Sequence, residues 1–197
     1  MPKPSLREKL IDAGFRLMWQ TGYAATGVRD IVAEAGSPQG SFTNHFRSKE
    51  DFACEVLDRY FAYVGGLVAD ALGDAALRPT DRLRRYLDII TQKLDDADWS
   101  RGCMIGNFTL ETSAQHERLR AKLSEMFVEW RAPFAACIAE GQRTGEISSE
   151  FGPDDLADFL LASWQGAMLR MKVDRSPEPL ERFKKIVFAT VFGKVQS

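Results

Sequence analysis

Val28-Arg29-Asp30-Ile31-Val32-Ala33-Glu34-Ala35-Gly36-Ser37-Pro38-Gln39-Gly40-Ser41-Phe42-Thr43-Asn44-His45 reads as two short helices separated by a Gly-Ser-Pro turn. Val28, Ile31, Val32 and Ala35 recur at helical spacing. Pro38 disfavours helix in the residue before it, so this stripe stops, and the next helix begins at Pro38 or Gln39 and runs through Phe42 to about His45. Short helix, glycine-containing turn, short helix is the arrangement of a helix-turn-helix, whose second helix enters the DNA major groove. The spacing alone fits any three-helix bundle as well.

The flanks continue in the same period. Leu6, Leu10, Ala13, Leu17 and Met18 form a preceding helix that ends at Thr21-Gly22. Ser48 followed three residues later by Asp51 resembles a capping box, opening a long helix with Phe52, Val56, Leu57, Tyr60, Phe61, Val64 and Leu67. Gly65-Gly66 within it is a candidate bend. Leu83, Leu87, Ile90 and Leu94 mark a fifth helix between Pro79 and the polar stretch Asp95 to Ser100, and residues 101–113 form a short sixth. The segment 116–144 is a seventh, which Pro133 is expected to kink or break and Gly145 closes. Pro153-Asp154-Asp155 opens an eighth, and Pro177 and Pro179 separate it from a ninth. Sustained strand alternation is absent, so the fold class is all-α with about nine helices.

Composition narrows the class of protein. The 197 residues are 45% hydrophobic and 27% charged with three cysteines, which excludes collagen-like, disulfide-dense and intrinsically disordered chains. No signal-peptide core or run of membrane-spanning length occurs, so a cytoplasmic protein without membrane association is expected. Cys54, Cys103 and Cys137 include no CxxC pair, and His45 and His116 are far apart, so no metal or other cofactor is expected. The chain also lacks GxSxG, HExxH, P-loop and Rossmann patterns, which argues against an enzyme. The net charge of −2 divides unevenly: residues 1–50 carry 7 basic and 5 acidic groups, the remainder 19 and 23.

The text Gly22-Tyr23, Val28-Arg29-Asp30-Ile31, Ala35-Gly36, Gly40-Ser41-Phe42, His45-Phe46 and Lys49-Glu50 resembles the TetR/AcrR family of bacterial transcriptional repressors. The resemblance implies a helix-turn-helix DNA-binding domain over residues 4–64 and a C-terminal regulatory domain over 65–197, for ligand binding and dimerisation. Residues 28–35 become the supporting helix and 38–45 the recognition helix. It places DNA contacts at Arg29, Ser37, Pro38, Gln39, Gly40, Thr43, Asn44, His45 and Lys49, with Phe42 and Phe46 in the core. Gln and Asn can bond an adenine edge in a bidentate way, and Thr offers a methyl or a hydroxyl. His45, Lys49 and the N–H groups opening the fourth helix would grip phosphate, although Lys49 and Arg29 also read as solvated charges. Two positions depart from the family pattern: Thr43 stands where Tyr is frequent, and Gly27 where Ser or Thr often caps.

The same resemblance implies a homodimer paired through the last two helices, Leu156 to Val173 and Leu180 to Val195. Phe183, Ile186, Val187, Phe188, Val191 and Phe192 spread around the last helix, which must either plug its own core or meet a second subunit. Partners are thus double-stranded operator DNA, a second copy, and a small-molecule or electrophile effector. Pocket candidates are Phe61, Tyr86, Met104, Phe108, Trp130, Phe134, Trp164 and Met168, each of which also reads as plain core.

Arg101-Gly102-Cys103-Met104-Ile105-Gly106-Asn107 resembles the branch of regulators of reactive electrophile and acrylate metabolism, some with a sensing thiol at the corresponding position. With Ser100 as N-cap, Cys103 falls at the third helical position beside unsatisfied N–H groups, an arrangement that favours thiolate. The competing reading is an inert buried cysteine, as expected for Cys54 and Cys137. The functional expectation is a repressor released from a pseudo-palindromic operator by its effector. The alternative is a helical enzyme or protein-interaction module that does not bind DNA.

Overall fold

The computed structural model describes residues 5–112 and 115–193. Among them are nine helices and no strand: α1 Leu6–Thr21, α2 Val28–Glu34, α3 Ser41–His45, α4 Lys49–Leu72, α5 Pro79–Asp95, α6 Met104–Glu111, α7 Glu117–Arg143, α8 Pro153–Asp174 and α9 Glu178–Ala189. The sixth helix, expected over 101–113, runs only from Met104 to Glu111, with residue 113 outside the described residues, and of the expected ninth helix residues 190–193 are not helical while 194 and 195 lie outside the described residues. The chain divides into two compact units, Met1–Tyr63 with Cys103–Met126, and Val64–Gly102 with Phe127–Ser197. Where the sequence placed one boundary between residues 64 and 65, the unit around the helix-turn-helix also takes in α6 and the start of α7.

Local chemistry explains the ends of the first unit's helices. Ser5 and Glu8 form a reciprocal capping box at α1, with Glu8 N–H donating to Ser5 Oγ at 3.2 Å and Ser5 N–H to Glu8 Oε2 at 3.0 Å. Gly22 ends α1 with φ +90°, a conformation that side chains rarely adopt. Gly27 caps α2 without a side chain, so Asp30 reaches back to accept the Gly27 N–H at 2.9 Å. Ser48 Oγ accepts the Asp51 N–H at 3.0 Å, half of the expected capping box. The other half is absent because the Asp51 carboxylate is paired with Arg118 of α7 instead.

The core of this unit is aromatic. Phe42, Phe46 and Phe52 meet with ring centroids 4.8–5.2 Å apart, all at most 4% exposed. Burying such a ring contributes about 1.5–3 kcal/mol. Gly14 lets α1 lie directly on this cluster, since a Cβ there would come within 3.0 Å of the Phe52 ring.

The second unit contains α5, the rest of α7, α8 and α9. The expected break at Pro133 does not occur: α7 runs from Glu117 to Arg143. Proline removes one N–H, and the buried Trp130, Phe134, Cys137 and Ile138 to either side supply packing that the helix keeps only by continuing. Gly145, at φ +75°, then closes α7. α4 likewise passes through Gly65 and Gly66 without interruption, both facing open space. The buried Arg82 guanidinium donates to the Leu72 carbonyl at 3.2 Å and pairs with Glu140 at 2.6 Å. Lys184, also buried, is held by Asp88 at 2.8 Å and Glu181 at 2.7 Å. α9 stops at Ala189, short of the expected span. No described helix is long and apolar enough to cross a membrane.

Candidate nucleic-acid interface

The turn between α2 and α3 is built by backbone geometry. Gly36 adopts φ +58°, which directs the Ser37 N–H to the Val32 carbonyl at 3.1 Å and the Gly36 N–H to Ala33 at 3.0 Å. Pro38 to Ser41 is a single turn closed by Ser41 N–H on the Pro38 carbonyl at 2.9 Å. α3 therefore begins at Ser41, not at Pro38 or Gln39 as the sequence indicated. Proline disfavoured helix before it but did not start one, and Gly40 became the N-cap.

With Phe42 and Phe46 anchored inward, the opposite face is presented to solvent. Arg29, Pro38, Gln39, Gly40, Thr43, Asn44 and His45 are all exposed, and Ser37 is half-buried with its hydroxyl on the Ala35 carbonyl at 3.2 Å. Thr43 uses its hydroxyl proton locally, donating to the Gly40 carbonyl at 3.1 Å. Lys49 is not a free charge. Its Nζ lies 4.4 Å from the Tyr23 ring centroid and donates to the Ala24 carbonyl at 3.4 Å. Burial there holds its pKa below the usual lysine value, against the opposing field of Glu111. The ammonium keeps two further N–H donors that a phosphate could accept.

Sequence reading passed over Arg47, which is exposed between α3 and α4 and adds positive charge beside His45. Its signal was only a basic residue in the connector. Arg7 supports the same edge, its guanidinium 5.2 Å from the Phe46 centroid and paired with Glu55.

The effector candidates fall in both units. In the first, Cys103, Met104 and Phe108 are buried and Phe61 is half-buried. In the second, Tyr86, Trp130, Phe134, Trp164 and Met168 are buried, with Tyr86 edge-on to Phe134 at 4.8 Å. The indole N–H groups of Trp130 and Trp164 find no acceptor among the described residues.

Cys103 is itself the N-cap of α6, so the expected position three residues into that helix is corrected. Ser100 is not the cap because α6 starts only at Met104; it lies in the preceding turn, where its hydroxyl donates to the Ala97 carbonyl at 2.6 Å and Asp98 and Trp99 take positive φ. Cys54, expected to be structural, is half-buried and lines a groove of about 620 Å³ with His45, Arg47, Asp58 and Lys122. Burial and then Glu50 push its thiol pKa up. The buried Cys137 donates to the Pro79 carbonyl at 3.5 Å, and burial pushes its pKa up to about 11. No group of three or more His, Cys, Asp or Glu side chains that could hold a metal occurs among the described residues.

The helix-turn-helix thus carries an exposed polar face over a buried phenylalanine cluster. Residues 10–56 match the bacterial regulatory proteins of the tetR family, and residues 79–187 match the tetracyclin repressor-like C-terminal domain. The chain belongs to the TetR family. Among its TetR-family relatives, the transcriptional repressor DhaR of Mycobacterium sp. (strain GP1) is 41% identical over 197 residues, covering 100% of this chain and 98% of DhaR. The transcriptional regulator AcuR of Cereibacter sphaeroides is 34% identical, covering 93% and 84% of the two chains. A TetR regulatory protein from Rhodobacter sphaeroides has a similar crystal structure, with TM-score 0.86, 34% identity and coverage of 92% and 97%. The reduced form of Escherichia coli NemR superposes with TM-score 0.81 at 27% identity, covering 94% and 97%. The protein is thus a TetR-family transcriptional regulator, and repressors of this family bind operator DNA.

Proposed function

We propose that this TetR-family protein is a homodimeric repressor that reads a pseudo-palindromic operator with Gln39, Thr43 and Asn44 and leaves it when a small molecule or electrophile acts on its regulatory half. The observation that carries the reading is the outward polar face of α3 over a fixed phenylalanine cluster. Gln39 and Asn44 are free to meet base edges, and Arg29, Arg47 and His45 stand beside them for phosphate. The dimer rests on an apolar stripe on α8, where Phe159, Leu169 and Val173 are 49%, 44% and 78% exposed, joined by Ile186 of α9 at 55%. A stripe of this kind is buried economically against its own symmetry copy.

Cys103 is the candidate sensor. Its Sγ would add to the β-carbon of an α,β-unsaturated carbonyl compound, with the thiol proton ending on the α-carbon. Support comes from the buried thiol at the head of α6 and from NemR, whose solved form is described as reduced. The unpartnered indole N–H groups of Trp130 and Trp164 favour an effector carrying hydrogen-bond acceptors. Titrating folded protein with a palindromic duplex selected from a random pool tests the whole reading. Affinity should fall with salt by about 0.9 log units per log unit for each phosphate neutralised. Folded protein without sequence-preferring duplex binding at low salt would refute it. Cys103→Ser should retain operator affinity and lose release by acrolein, whereas unchanged release would remove the thiol from the mechanism.

A further inference from the structure

The turn between α1 and α2 is gripped by a residue 87 positions further along the chain. Glu111, the last residue of α6, accepts the Ala24 N–H on Oε2 at 2.5 Å. The carboxylate sits so close to the chain that a Cβ on Gly22 would fall within 3.0 Å of its Oε1. Gly22 is thus required twice, by its φ of +90° and by the approach of Glu111. Tyr23, the next residue, is covered by Phe108 of the same helix at 5.7 Å and by His116 edge-on at 5.2 Å.

On its other side the same peptide segment meets the DNA-facing machinery. Lys49, the first residue of α4, donates to the Ala24 carbonyl and lies over the Tyr23 ring. Thr26 Oγ1 donates to the Gly22 carbonyl at 2.7 Å, so the turn passes directly into the cap of α2. Glu111 and Lys49 therefore hold the N–H and the carbonyl of one residue, Ala24, three positions before the Gly27 N-cap of the supporting helix. α6 has eight residues, about 12 Å, with Cys103 at one end and Glu111 at the other. Its short length and buried Met104, Ile105 and Phe108 make it a strut rather than a tether.

We propose that Glu111 is a coupling residue: its carboxylate latches α6 to the Gly22–Ala24 turn, so that the position of α6 sets the conformation of Lys49 and the α2 start on the DNA-reading head. A charged acceptor makes this bond about twice as strong as a neutral pair and gives it a single geometry. The inference rests on the DNA-reading role of this head and adds the path by which the regulatory half addresses it. Coupling is reciprocal, so DNA bound to the head must be felt in α6 without any effector present.

That reciprocity supplies the test. Hydrogen exchange of the full-length protein is followed with and without its selected duplex, for wild type, Glu111→Gln and Glu111→Ala. In wild type, the duplex should slow exchange in α2 and α3 and change exchange of the 104–111 amides by about fivefold or more, the lower range of ordinary coupling. In both variants the duplex should still slow exchange in α3, which certifies folding and DNA binding, while the response of 104–111 disappears. An α6 response of equal size in the variants, or its absence in wild type that binds the duplex, overturns the latch. A wild type that binds no duplex at all would instead overturn the DNA-binding reading.

Discussion

Gly14, Gly65 and Gly66 lie inside helices, and the same substitution should move them in opposite directions. Replacing Gly by Ala in a helix interior gains about 0.8–1.0 kcal/mol of intrinsic propensity. At Gly65 and Gly66 a new Cβ meets nothing within 4 Å, so the whole gain is available and the pair sums to about 2 kcal/mol. For a chain of this size each kcal/mol moves Tm by about 2–4 °C, so Gly65→Ala with Gly66→Ala should melt roughly 4–8 °C higher. At Gly14 the Cβ would enter the Phe52 ring and lie 3.3 Å from Val56 Cγ2, between α1 and α4, where the ring cannot swing away because Phe42 and Phe46 hold it. Overpacking of this kind costs about 1–3 kcal/mol, which exceeds the propensity gain, so Gly14→Ala should melt lower by several degrees. Circular dichroism melts at one fixed protomer concentration measure this without the concentration dependence of an oligomer. A Gly14→Ala protein as stable as wild type would refute the close packing of α1 on Phe52. Destabilisation by the Gly65 and Gly66 substitutions would show that this stretch of α4 is bent or covered.

Gln39→Ala should lower affinity for the selected operator by about 1–3 kcal/mol while nonspecific binding holds, and equal losses on both in a filter-binding assay would exclude base reading by Gln39. Leu169→Glu together with Val173→Glu places charge on the exposed stripe of α8, so sedimentation equilibrium should find the wild type as a dimer and the double variant as a monomer. A dimer that survives would move the interface elsewhere. Cys137 stays a thiol in the folded chain up to about pH 11, whereas the unfolded thiol ionises near its ordinary value of 9.0. The raised folded-state pKa makes its contribution complete below pH 9 and lost as pH climbs toward 11. Urea midpoints at pH 8 and pH 10.5 should therefore fall more steeply in wild type than in Cys137→Ala, and parallel losses would refute the burial argument.

Most of the helices were legible because proline and glycine punctuate them. Pro79 and Pro153 sit at the first positions of α5 and α8, and Gly22, Gly36 and Gly145 take the positive φ angles that end α1, turn α2 into α3 and close α7. Phe42 and Phe46 were legible as core because they share the inner face of the recognition helix. The start of α6 was not, since Asp98 and Trp99 bend the chain by left-handed backbone angles that neither residue type advertises. That bend leaves Ser100 in the turn before α6, and the cap falls at Cys103. Pro133 misled because its local cost, a lost hydrogen bond and a ring clash of about 3 kcal/mol, is set against the buried side chains of a long helix. The engagement of Lys49, and the Glu111 carboxylate beside it, depend on pairings that no local spacing encodes.

The ties from Glu111, Arg118 and Leu119 back to Ala24, Asp51 and Glu50 span 87, 67 and 69 residues, so the ribosome does not deliver the reader as one finished piece. At about 5–20 residues per second, synthesis from Tyr63 to Met126 takes roughly 3–13 s. During that interval the Tyr23 ring lacks Phe108 and His116, and Glu50 and Asp51 have not met Leu119 and Arg118. A nascent chain therefore completes the unit that holds the helix-turn-helix only after residue 126 has been made.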